Sequence, residues 1–318
     1  MLTSPGSHEP QEEAGLDNTA KRIEGLKQKY GAEIVEAVVR AHPGDGLAMI
    51  AWADEADPHY AKLWLTFFAA MLGRGVLDER TRTLVVVGEF VAMDEMEQLG
   101  VHVRGALAHA QPGEVLEVIL QAGVYIGYPK MVRATRVFRE ALDALGRTHE
   151  LAKSRVPLAG RSTAAAPQAQ DAGLQTPPER AARRDELIAK YGWQRLAPGL
   201  RLQPTHHLES VERLDRVDPD FNRLWLDFIY AGMYSRGVLD DRTRILCIVG
   251  ELACVGETHQ AENHIRNALT HGAKPREVLE VILMSTIYSG MPRFVRFIAI
   301  LERALEEQGR LAEIRAQA

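Results

Sequence analysis

The feature that most constrains this fold is an internal repeat, because a segment that occurs twice at domain length must fold the same way twice. Residues 57–90 read DPHYAKLWLTFFAAMLGRGVLDERTRTLVVVGEF, and residues 218–252 read DPDFNRLWLDFIYAGMYSRGVLDDRTRILCIVGEL. The match continues from GVHVRGALAHAQPGEVLEVILQAGVYIGYP at 100–129 to ENHIRNALTHGAKPREVLEVILMSTIYSGMP at 262–292. Upstream, KYG at 29–31 answers KYG at 190–192. The register shift is 161, then 162, then 163 residues, so one residue is inserted before Arg236 and another near Gly272.

Both copies read as helices. Trp64, Phe67, Phe68 and Met71 recur at i, i+3, i+4 and i+7, which predicts an amphipathic helix near 60–72 with an aromatic stripe facing the core. Trp225 repeats that position. Asp78 is placed to cap the next helix, which carries RTRTLVVVGEFVA. A break at Met93-Asp94 precedes a third helix from Glu95 to about His109. Gln111-Pro112-Gly113 reads as a turn, Glu114–Ile126 as a fourth helix, and Lys130 to about Leu145 as a last one. No hairpin signal interrupts them. The expected fold is therefore all-α, with two tandem domains related by pseudo-two-fold symmetry.

The 318 residues divide naturally into two helical domains. We expect a disordered tail over 1–18, a first domain over 19–153, a linker over 154–178 and a second domain over 179–318. The linker segment is rich in Ala, Gln, Pro and Gly and has no hydrophobic period. A net charge of -5 gives no basic field, so nucleic acid is not an expected partner. No targeting signal or membrane-length apolar run is visible, and a cytoplasmic location is expected. The two cysteines, Cys247 and Cys254, are seven apart on one helical face. They read as small buried hydrophobes, and no CxxC pair exists.

Three sets of paired residues carry candidate chemistry. Glu95, Gln98 and His102 fall at i, i+3 and i+7 of the expected third helix, and Glu257, Gln260 and His264 repeat the spacing. A carboxylate, an amide and an imidazole on one stripe can hold a polar ligand and move a proton. The alternative is a solvated face with a satisfied histidine. Glu89 and Glu251 are acids within apolar helices. Burial without a partner would raise their pKa and make them proton donors. Pairing with Arg82 and Arg244, seven residues earlier, would instead keep them ionised. Tyr125 and Tyr288 precede the Gly-x-Pro turns and can either hydrogen-bond a ligand or fill the core. One His and one Glu per copy, without an HxH or HxxxH pair, gives little support for a metal site, and no metal or cofactor is expected.

The Thr81-Arg82 start, the apolar helix, His102 with its following Arg-x-Ala-Leu, the EVLEVI helix and the Tyr-x-Gly-x-Pro ending resemble the core of the carboxymuconolactone decarboxylase family. Thr243-Arg244, His264, EVLEVIL and Tyr288 to Pro292 do so again. The resemblance implies one of two chemistries. The thiol peroxidase branch needs a CxxC before the histidine. Here Glu95 and Gln98, or Glu257 and Gln260, occupy those places, so that branch is not expected. The decarboxylase branch carries a Glu four residues before the histidine, where this chain has Gln98 and Gln260.

The resemblance thus implies a cofactor-independent, decarboxylase-like lyase. Its substrate would be a small, oxygenated, anionic lactone or keto acid. His102 and His264 would move the proton, with Glu95 and Glu257 or Glu89 and Glu251 as acids. Gln98, Gln260, Arg82, Arg244, Tyr125 and Tyr288 would bind substrate. The alternative is a non-catalytic binding or assembly protein on the same scaffold. Because such units assemble into rings, a homo-oligomer is expected, a dimer or trimer of tandem chains.

Overall fold

The structure, a computed structural model, describes residues 21–42, 46–153, 178–204 and 206–316. The expected tail over 1–18 and all of the expected linker except Pro178 lie outside these residues. Every regular element among the described residues is helical. The chain divides into two compact units at Gly75 and Val76, not at the repeat boundary.

The first unit holds α1 (21–30), α2 (Ala32–Ala41), α3 (Gly46–Ala56) and α4 (Pro58–Leu72). Asp57 starts α4 by accepting from the His59 and Tyr60 amides at 2.9 and 3.0 Å, with Pro58 in the first turn. The aromatic stripe expected on α4 is only partly inward. Phe68 and Met71 are buried, whereas Phe67 is half exposed and Trp64 is partly covered.

The second unit holds the rest of the first repeat and the whole second repeat. In order these are α5 (Glu79–Met93), α6 (Met96–Ala106), α7 (Pro112–Ile126), α8 (Tyr128–Ala144) and α9 (Thr148–Lys153). The second repeat follows with α10 (Pro178–Tyr191), α11 (Trp193–Leu202), α12 (His207–Val217), α13 (Pro219–Trp225) and a π-helical segment, Leu226–Met233. It ends with α14 (Asp241–Val255), α15 (Thr258–Thr270), α16 (Pro275–Ser289), α17 (Met291–Glu307) and α18 (Leu311–Ala316). The start signals act in pairs. Asp78 and Asp240 accept from the Thr81 and Thr243 amides at 2.9 and 2.8 Å. Glu114 and Glu277 close matching caps on Gln111 and Lys274, and each also takes an arginine, Arg80 or Arg242. Pro112 and Pro129 lie in the first turns of α7 and α8 rather than in the preceding turns, because a helix start needs no proline N–H.

Helices α5 and α14 are buried on every side over most of their length and form the centre of this unit. They pack directly on each other, and glycine sets how closely. A Cβ on Gly88 would lie 3.0 Å from Glu251 Oε1, and one on Gly250 would lie 3.1 Å from Glu89 Oε1. Each helix thus lays its glutamate across the other's glycine, a reciprocal contact of the kind that two-fold symmetry demands.

The first insertion also has a visible form. One extra residue in a helix is accommodated by winding i→i+5, as in the Tyr234 amide to Ile229 carbonyl bond of 2.9 Å. That winding brings the Asp227 carbonyl to 2.8 Å from where a Cβ on Gly232 would sit. The aligned residue of the uninterrupted α4 is Ala70. The second insertion, Gly272, takes a left-handed φ of 83° just after α15.

Substitution of the crossing glycines tests this packing. Gly88→Ala and Gly250→Ala should each destabilise by about 1–3 kcal/mol in denaturant unfolding, the usual cost of overpacking. Gly25→Ala, where a Cβ meets nothing within 4 Å in an exposed part of α1, should instead raise stability by about 0.5–1 kcal/mol. Equal effects at all three positions would contradict the crossing as described.

Candidate functional site

Glu89 and Glu251 are fully buried, and neither pair of carboxyl oxygens has a hydrogen-bond partner. The arginines that could have neutralised them are engaged elsewhere. Arg82 pairs with Glu79. Arg244, itself buried, donates to Glu117 at 2.9 Å and to Gln121 at 3.0 Å. The ion-pair reading of Glu89 and Glu251 therefore fails. Burial drives the Glu89 carboxyl well above the usual carboxylate range. Glu251 is pushed up to about 8 by the same burial, tempered by the nearby Gln121 amide and Arg244 guanidinium. Glu251 therefore holds its proton at neutral pH, and burial moves Glu89 in the same direction.

Each histidine faces a tyrosine ring supplied by the opposite repeat. His102 on α6 stacks on Phe90 at 4.6 Å and meets the edge of Tyr288, from α16, at 5.8 Å. Phe90 and Tyr288 are themselves 4.6 Å apart. Glu89 acts on the same Tyr288, whose phenol is raised first by burial and then by that carboxyl. On the other side, His264 on α15 meets the edge of Tyr125, from α7, at 5.2 Å. The Tyr125 phenol is raised by burial and by its tyrosine neighbours, with Glu251 adding to the effect. Neither His264 ring nitrogen has a hydrogen-bond partner, and burial depresses its pKa to about 3, so the ring is neutral. Each site thus combines a glutamate and histidine of one repeat with a tyrosine of the other.

The other expected site residues are placed differently. Glu95 and Glu257 do not lie on a helix face. They are the exposed residues just before α6 and α15, and Glu257 caps its helix by accepting from the His259 and Gln260 amides at 3.2 and 3.3 Å. Gln98 is exposed and Gln260 is partly so, while His102 and His264 are buried. The stripe expected from the spacing is broken because these helices begin one residue later than the spacing assumed. Cys247 and Cys254 are buried free thiols, as the sequence suggested, and burial raises both. Among the described residues no three His, Cys, Asp or Glu side chains form a metal cluster.

The second site also contains residues that the sequence did not single out. The Tyr234 hydroxyl, at the end of the π-helical segment, bonds to that of Tyr125. The Gln203 amide donates to Tyr125 Oη at 3.5 Å and accepts from Tyr230 Oη at 2.8 Å. The His206 ring lies 5.9 Å from that of His264. The one available signal was the inserted residue itself, which marks the segment carrying Tyr230 and Tyr234.

The family model for the carboxymuconolactone decarboxylase family matches the chain twice, over residues 58–140 and 219–303. The chain belongs to this family. Among relatives of this family member, the 4-carboxymuconolactone decarboxylase of Acinetobacter baylyi is 26% identical over 104 residues, covering 33% of this chain and 78% of the relative. The nitrosuccinic acid decarboxylase of Metarhizium robertsii is 29% identical over 142 residues, covering 41% of this chain and 89% of the relative. No described helix is long and apolar enough to cross a membrane.

The buried titrating groups of this family member set a stability optimum. Glu251 has a pKa near 8 in the fold against 4.5 as a free group, so the native state binds the extra proton and stability falls as pH rises from 4.5 through 8. Neutral His264 and His207, both depressed to about 3 from 6.5 by burial, act the other way, and stability falls as pH drops from 6.5 toward 3. Unfolding free energy should therefore peak between these limits, in weakly acidic solution. Glu251→Gln should flatten the alkaline limb in urea titrations across pH, and an unchanged limb would refute a buried protonated Glu251.

Proposed function

We propose that the chain is a decarboxylase-like lyase that needs no cofactor and acts on a small, oxygenated, anionic lactone or keto acid. The observation that carries this reading is a buried, unpartnered carboxyl acting on a tyrosine that itself meets a buried histidine, twice in one chain. The two named decarboxylases among the relatives support the reaction class. When the bond to a substrate carboxylate breaks, carbon dioxide leaves and the electron pair moves onto the adjacent carbonyl as an enolate. Neutral acids stabilise that charge by hydrogen bonding, and one of them returns a proton to carbon. Glu251 and Glu89 are the proton donors in this scheme. His264, held neutral, hydrogen-bonds or accepts a proton instead of acting as an imidazolium acid.

Proton transfer by a placed side chain is worth about 10²–10⁴ in rate. The double variant His102→Gln, His264→Gln should lose that much turnover on a panel of keto acids and lactones while melting near the parent temperature. Glu89→Gln with Glu251→Gln should do the same, and Glu95→Gln with Glu257→Gln should not. Undiminished turnover in the double histidine variant would move the chemistry to another site, and a parent without turnover on the whole panel would favour the binding-protein alternative.

We also propose a homo-oligomer. Both repeats expose large apolar side chains at matched positions, Tyr60 and Phe221, Leu63 and Leu224, Phe67 and Phe228. Light scattering should give the mass of a dimer or trimer of the 35.3 kDa chain. Phe67→Glu with Phe228→Glu should lower that mass, and a monomeric parent would contradict the assignment.

A further inference from the structure

The two sites share a plan but not a composition. Around His264 the α7 helix supplies Gln121, where the aligned residue of α16 is Met284. The second repeat supplies Tyr234 and Gln203, where the aligned residues of the first are Leu72 and His42. The polar substitutions converge on one point. Tyr230 donates to Gln203, the Gln203 amide donates to Tyr125, and the Tyr125 and Tyr234 hydroxyls are bonded to each other. That last bond can run either way, so of the two phenol protons one bridges the pair and the other is left over.

Three further facts concern what that proton meets. The Arg244 guanidinium lies over the Tyr234 ring, 5.5 Å from its centroid, and is fixed there by Glu117 and Gln121. A cation against the ring makes the phenol a stronger donor, opposing the rise that burial causes. Glu251 influences both Tyr125 and Tyr234 and has two unpartnered oxygens. His264, T-shaped against Tyr125, has two unpartnered nitrogens. Buried polar atoms left unsatisfied in one cluster call for a polar occupant. The neutral O–H groups here specify its charge, since the spare phenol proton and a protonated carboxyl can both donate to one anionic oxygen, and the second phenol joins them once the bond within the pair opens.

We propose that the site around His264 is an oxyanion site, in which Tyr234 and Tyr125 with Glu251 donate to the charged oxygen of an enolate- or phenolate-like ligand, and that the site around His102 does not share this role. This deepens the functional reading and rests on it in treating the buried cluster as a ligand site. The π-helical turn is the device that makes the difference. The inserted residue and Gly232 set the winding that ends at Tyr234, where the first repeat has an uninterrupted helix ending in leucine.

The probe is 4-nitrophenol, whose ionised form is coloured, titrated into the full chain at a pH below its solution pKa. The parent should bind one equivalent per chain as the phenolate, with ionisation shifted to lower pH. Tyr234→Phe and Tyr125→Phe remove one hydroxyl each without changing ring volume. Each should weaken phenolate binding about tenfold or more, the worth of a hydrogen bond to a charged group. Tyr288→Phe, the matched change in the other site, should leave binding unaltered, and near-ultraviolet circular dichroism should verify that all three variants keep the fold. The proposal is overturned if the parent binds no phenolate, if it binds two equivalents equally, or if Tyr234→Phe matches the parent. The turnover of the double histidine variant is read separately. A parent that binds phenolate as described but turns over nothing on the keto acid and lactone panel would remove the lyase reading and leave the oxyanion site standing.

Discussion

The close approach of α5 and α14 governs what the rest of the second unit can do. Two helices buried along most of their length can come together over glycine, and here each glycine is the seat of the other helix's glutamate. The same contact that brings the backbones together removes both carboxyls from water. It denies them the arginines that their own helices carry, because Arg82 and Arg244 are held by Glu79 and Glu117. Packing and acidity therefore have one origin. A looser crossing would admit water, and the carboxyls would ionise near their ordinary values.

Around that crossing, the aromatic residues divide the labour between the repeats. Phe90 and Tyr288 enclose His102, while Tyr125 meets His264 across the corresponding boundary. His264 is kept neutral by burial, and the same burial raises both carboxyls, Glu251 to about 8. Around Tyr125 a low-dielectric setting thus gathers a neutral base, His264, and a protonated acid, Glu251, the combination a proton-returning step requires.

Much of this was legible in the sequence. The repeat, the helical class and the cap at Asp78 followed from local chemistry that the tertiary structure had no reason to override. Glu89 and Glu251 stood out because an acid in an apolar run needs an explanation. The stripe from Glu95 to His102 was misread because periodicity does not say where a helix begins, and Glu257 in fact caps the first turn. Tyr230, Tyr234 and Gln203 were passed over for a different reason. Their meaning lies in contacts between segments 27 to 109 residues apart, and no local pattern encodes those. The inserted residue was visible as a shift in register, but its outcome as a π turn depends on Gly232 tolerating a carbonyl where a side chain would stand.

The sharing of tyrosines between repeats has a consequence for how such a chain can change over time. A substitution at Tyr125 is inherited with the first repeat but is felt beside His264 in the second, and one at Tyr288 is felt beside His102. Neither half is then free to drift as a spare copy, since decay in either would damage its sibling's chemistry. Duplication ordinarily frees one copy from selection. Here the two copies hold each other hostage, and innovation has to enter as it did at the π turn, through a residue that belongs to one pocket alone.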